Sequence, residues 1–92
     1  MRVLFLGDVV GRSGRTAVVE KLPDLKKILR PDFIIVNGEN AAGGFGITPS
    51  ISENLLNSGV DVVTTGNHAW DQRDIIEFID REPRLLRPIN YP

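Results

Sequence analysis

The chain alternates short apolar runs with longer stretches in which apolar residues recur every three or four positions. Val3 to Leu6, Phe33 to Val36 and Val60 to Thr64 form the runs. Each is rich in β-branched or aromatic residues and stops at glycine or a polar residue, which predicts strands. The first run is unbroken by polar residues, the pattern of a central parallel strand covered on both faces. Between runs, Val18, Leu22, Leu25 and Leu29 fall at helical spacing; Ser13 is a candidate N-cap, Pro23 kinks or restarts the helix, and Arg30-Pro31 ends it. Thr48-Pro49 sets a cap residue before a proline at the first helical position, with Ile51, Leu55 and Leu56 as the inward stripe and Gly59 as the stop. A third helix starts near a capping Asp71, turns Ile75, Ile76 and Ile79 inward and stops near Pro83. The order β-α-β-α-β-α predicts an α/β fold of three βα units with a parallel sheet.

Each predicted strand runs into a polar cluster beside a glycine: Gly7-Asp8, Gly38-Glu39-Asn40 and Gly66-Asn67-His68. Ligands of open parallel sheets bind outside the carboxyl ends of the strands, so the three clusters face one crevice. With strands about 4.8 Å apart, groups on three neighbours converge within roughly 10 Å. A glycine before each polar residue lets the chain turn sharply and a ligand come close. Alone, Asp8 reads as a capping carboxylate worth about 1 kcal/mol, Glu39-Asn40 as a polar turn, and Asn67 as a left-handed turn residue. Three clusters at equivalent positions favour ligands. Carboxylate and amide oxygens suit Mg, Mn or Fe rather than soft metals. If two ions share the site, a bridging carboxylate holds both and a hydroxide generated there attacks phosphorus in line, with His68 as general acid.

Composition narrows this picture by exclusion. The 92 residues are 41% hydrophobic and 25% charged, with net charge -1. Such a balance offers no extended nucleic-acid surface and no polybasic membrane patch, so the partner is a small molecule held at a site. Cysteine is absent, which removes disulfides and thiolate metal sites and makes the cytoplasm the default location. No apolar run reaches the length of a membrane span. Arg12 and Arg15 could meet phosphate, but arginines on a first helical turn are ordinarily solvated; Trp70 reads as packing.

The segments "GDVVGR" at 7–12, "NGENAAGG" at 37–44, "GNHAWD" at 66–71 and "LRPINYP" at the end resemble the YmdB-like branch of the calcineurin-like metallophosphoesterases. The resemblance covers the whole chain. It implies the N-terminal part of a metallophosphoesterase α/β sandwich. It also implies a dinuclear centre of iron or manganese and phosphodiesterase activity toward 2′,3′-cyclic nucleotides. Residue by residue, it implies Asp8 on the first metal, Glu39 as the bridge, Asn40 and Asn67 on the second metal, and His68 as proton donor. Val10 stands where the wider superfamily has a histidine of a D-x-H motif, and Glu39 replaces its bridging aspartate; both departures are those of the branch.

Two metals need about ten to twelve ligand positions, more than four oxygen-bearing side chains and one histidine supply. The family draws three further histidines from later in the chain, whereas His68 is the one histidine here. Together with an apolar, proline-bearing tail, "LLRPINYP", and two open sheet edges that admit self-association, this predicts that residues 1–92 are the N-terminal part of a longer domain. A competing expectation is therefore an inactive folded fragment. Another is a Rossmann-like dinucleotide-binding unit with Glu39 on a ribose, but glycines 7, 11 and 14 do not form G-x-G-x-x-G, and "GNH" is left unexplained.

Overall fold

The computed structural model describes residues 1–38, 41, 47–65 and 75–87, without the side chains of residues 76, 77 and 80. The elements are β1 (Val3–Leu6), α1 (Gly11–Leu29), β2 (Phe33–Asn37), α2 (Pro49–Asn57), β3 (Val62–Thr64), α3 (Ile75–Arg81) and β4 (Leu85–Leu86). The sheet is parallel throughout, in the order β1-β2-β3-β4. The α/β class with a parallel sheet is thus as the sequence predicts. The tail differs: Leu85-Leu86 forms a fourth strand beside β3, giving the last helix a strand to cross to.

Right-handed crossovers between strands in chain order put every connecting helix on one side of the sheet. Burial follows that rule. Leu22 of α1, Leu55 and Leu56 of α2, and Ile75 and Ile79 of α3 share one core with Ile34, Val36, Val63 and Leu85. The alternate strand positions look the other way: Val3 is 53% exposed and Phe5 59%. Among the described residues β1 pairs with β2 alone and the helices lie on one face, so within residues 1–92 this strand is covered on one face. An unbroken apolar run records what a strand can tolerate on both faces, not what this chain supplies.

Local rules explain most element boundaries. Thr48 caps α2, its Oγ1 accepting from the Ile51 N–H at 3.3 Å, with Pro49 at the first helical position. At Arg30 the backbone enters the left-handed region (φ 48°), the Arg30 N–H donates to the Lys26 carbonyl, and Pro31 prevents continuation. Gly59 follows α2 with φ of 113°, a conformation side chains resist. Pro23 interrupts nothing: α1 runs on through it. Pro23 is exposed while its neighbour Leu22 is fully buried, so the missing N–H bond falls on the solvent side, where water can satisfy the carbonyl. Ser13 is not the cap. The helix starts at Gly11, and Val10 at the N-cap makes no side-chain bond. Val9, 4% exposed and donating its N–H to the Asn37 carbonyl, anchors the chain so close to the sheet that the helix begins at once.

Asp61 accounts for the late start of β3. Its carboxylate accepts the Ile34 N–H at 2.8 Å, and its own N–H donates to the Ile34 carbonyl at 2.9 Å. A side chain takes over one rung of the ladder, and regular pairing resumes at Val62.

Candidate active site

Parallel pairing brings the carboxyl ends of β1, β2 and β3 to one edge of the sheet. Beyond the strands the pairing continues: Val9 donates to the Asn37 carbonyl at 3.0 Å, Gly38 to Thr64 at 2.9 Å, and Thr65 to Leu86 at 3.0 Å. Thr65 is fully buried, and its hydroxyl also donates to the Leu86 carbonyl, at 2.8 Å. The backbone leading into each of the three polar clusters is therefore clamped to its neighbour.

Asp8 is exposed at this edge. The Asn37 side-chain amide donates to Asp8 Oδ1 at 3.0 Å. A carboxylate only accepts, so this contact fixes which end of the amide faces it. One carboxylate oxygen is held in place by the end of β2, and the carboxylate keeps further acceptor capacity for a cation. Asn37 is the residue that sequence reasoning missed. A signal was present: it is the polar residue closing an apolar strand immediately before the glycine.

Gly38 is required by packing more than by ligand approach. A Cβ there would stand 3.1 Å from Ile47 Cδ1 and 3.2 Å from Val63 Cγ1. Gly7 is likewise closed in, by the Phe5 ring at 3.2 Å and Asn37 Cβ at 3.5 Å. At these two strand ends the space beside glycine is filled by the protein itself.

The other four predicted site residues, Glu39, Asn40, Asn67 and His68, lie outside the described residues, as do Trp70 and the predicted cap Asp71. Among the described residues no three His, Cys, Asp or Glu side chains gather. Asp8 alone represents the candidate site. Its donor chemistry fits a hard divalent cation, being an exposed carboxylate oriented by an amide.

The family profile described as "YmdB-like protein" matches residues 4–92. The chain belongs to this family. Among YmdB-like relatives, a 2′,3′-cyclic-nucleotide 2′-phosphodiesterase of Bacillus subtilis (strain 168) is 53% identical over all 92 residues. The match covers 35% of that protein. Two solved structures share the fold over the full chain. One is a hypothetical protein from Thermus thermophilus, 44% identical with TM-score 0.89 and 35% of it covered. The other is described as a novel phosphatase from Mycoplasma pneumoniae, 36% identical with TM-score 0.92 and 33% covered. This YmdB-like chain thus spans about a third of the length of these relatives. A Rossmann-like unit is disfavoured by topology as well, since its fourth strand returns to the free edge of β1, whereas here β4 pairs with β3.

Proposed function

We propose that residues 1–92 are the N-terminal part of a metallophosphoesterase domain whose whole protein is a cytoplasmic, metal-dependent phosphodiesterase acting on small phosphodiesters such as 2′,3′-cyclic nucleotides. The observation that carries this reading is the 53% identity, across the entire chain, to a relative bearing that activity in its name. The anchored, exposed Asp8 carboxylate at the carboxyl edge of the sheet supports it. So does the membership in the YmdB-like family. No helix among the described residues is long and apolar enough to cross a membrane.

In this reading Asp8, Glu39, Asn40 and Asn67 would hold two divalent ions, iron or manganese, Asp8 serving the first, Asn40 and Asn67 the second, and the Glu39 carboxylate shared between them. Such a pair supplies charge neutralisation at the phosphate and activation of water near neutral pH. Asn37 keeps the Asp8 carboxylate aimed, limiting the reorganisation needed as charge develops. His68 gives its proton to the leaving oxygen as the P–O bond breaks. Residues 1–92 by themselves bind metal weakly and turn over little substrate, because three histidine ligands come from elsewhere in the whole protein.

Metal content and hydrolysis of a 2′,3′-cyclic nucleotide, measured on the full natural polypeptide and its Asp8→Asn and Glu39→Gln variants, test the reaction. Loss of both properties in each variant is expected; full activity in chelator-stripped protein overturns it. Strong activity of residues 1–92 alone would contradict the ligand count.

A further inference from the structure

We infer that Thr65 is a positioning residue of the proposed site, its side chain fixing the direction in which the chain leaves β3 toward Asn67 and His68; the inference rests on the roles proposed for those two residues. Thr65 follows β3 directly and is fully buried. Its backbone N–H donates to the Leu86 carbonyl at 3.0 Å, and its hydroxyl donates to the same carbonyl at 2.8 Å. One residue earlier, the Thr64 carbonyl accepts the Gly38 N–H at 2.9 Å. The end of β3 is thus tied to the end of β2 on one side and to β4 on the other.

Neither the ladder nor the core requires this hydroxyl. Side chains alternate along a strand, so Thr65 shares the helix-covered face with Val63, which is also fully buried. Valine has the same branched shape, and burying a hydroxyl in its place costs free energy unless the hydroxyl is hydrogen-bonded. The bond it makes rescues no vacant backbone group, because the Leu86 carbonyl already accepts the Thr65 N–H. What the second bond adds is direction. A single N–H to carbonyl bond tolerates a broad range of angles, so the residue can pivot about it. A second bond, from an atom attached to Cβ, removes that pivot and locks the rotamer.

Direction matters here because little chain separates Thr65 from the proposed ligand and acid. Two residues span at most about 7 Å, so a tilt at Thr65 is passed on to Asn67 and His68 over a short lever. A misplacement of about 1 Å at a reacting group costs about a hundredfold in rate. The partner strand is only two residues long, yet it is anchored. Leu85 is buried in the core, its N–H donates to the Glu82 carbonyl at 3.1 Å, and the Val63 N–H donates to the Arg84 carbonyl at 2.8 Å. Thr65 therefore braces the end of β3 against a fixed neighbour.

The test is a calorimetric titration of Mn²⁺ into the chelator-stripped full natural polypeptide, with hydrolysis of a 2′,3′-cyclic nucleotide measured at saturating Mn²⁺. Thr65→Val removes the hydroxyl and keeps the shape; it lowers Mn²⁺ affinity about tenfold, and kcat about tenfold with KM within about twofold of the parent. Its thermal midpoint stays within about 4 °C of the parent. Thr65→Ser keeps the hydroxyl and loses a buried methyl group, so it melts below the parent yet holds affinity and kcat within about twofold of it. Should Thr65→Val not fold, Thr65→Ser and Thr65→Ala, which differ by that hydroxyl alone, carry the comparison. Asn67→Ala, measured alongside, loses Mn²⁺ affinity if the reading of the site is right. Given that loss, parent-like affinity and kcat in Thr65→Val, or equal losses in Thr65→Val and Thr65→Ser, overturn this inference alone. An Asn67→Ala protein that binds Mn²⁺ and turns over like the parent overturns the reading of the site and this inference with it.

Discussion

Replacing Gly38 by alanine puts a methyl group where the core is already closed. The new Cβ meets Ile47 Cδ1 at 3.1 Å and Val63 Cγ1 at 3.2 Å, both tighter than ordinary carbon contact. Ile47 and Val63 are fully buried, and β-branched Val63 is held by strand pairing on both sides. Overpacking of this kind costs about 1–3 kcal/mol. Alanine returns about 0.4–1 kcal/mol by restricting the unfolded chain. The net expectation is a loss of about 1–2 kcal/mol, read from urea unfolding at 25 °C as a lower midpoint with unchanged slope. Ile47→Val supplies the decisive control, since it deletes the Cδ1 atom that Gly38→Ala strikes. Alone it costs about 0.5–1.5 kcal/mol. In the Gly38→Ala background it relieves one of two close contacts, so the double variant is more stable than additivity predicts by about 0.5–1 kcal/mol. Strict additivity, or a Gly38→Ala protein as stable as its parent, refutes the claim that packing holds this position at glycine.

Three further outcomes follow from single contacts. Ser52→Ala leaves stability unchanged or raises it by up to about 1 kcal/mol, because the fully buried Ser52 hydroxyl has no hydrogen-bond partner among the described residues; a clear loss in thermal unfolding would refute this. Asp61→Ala strands the buried Ile34 N–H and costs about 1–3 kcal/mol, while Asp61→Asn, which keeps an acceptor, costs less; equal losses in denaturant titrations would remove Asp61 from the ladder. Asn37→Leu frees the Asp8 carboxylate and, in the proposed reaction, lowers metal affinity about tenfold to a hundredfold with the fold retained. Metal retention equal to the parent by elemental analysis would contradict that positioning role.

Much of the architecture was legible because it rests on local rules. The Thr48-Pro49 start of α2, the Arg30-Pro31 stop of α1 and the three principal strands are written in residues close together in sequence. The misreadings arose where tertiary context decides. Val3 to Leu6 is apolar at every position, and only the packing shows which of these residues the described helices cover. Leu85-Leu86 is too short to signal a strand until β3 offers it a partner. The Asn37 contact with Asp8 joins residues on different strands, so spacing along the chain could not announce it. The doubled Thr65 contact with Leu86 exists only once β4 lies beside β3. Of the predicted site, Asp8 stands at the sheet edge where its motif placed it; Glu39, Asn40, Asn67 and His68 lie outside the described residues.

The strand order has a consequence for how this chain is made. Among the described residues each strand hydrogen-bonds to strands adjacent to it in the sequence, so these pairings join segments synthesised one after another. A growing polypeptide can lay down β1, add α1 and β2 to it, and then extend the sheet unit by unit as residues emerge from the ribosome. Topology and translation run in the same direction.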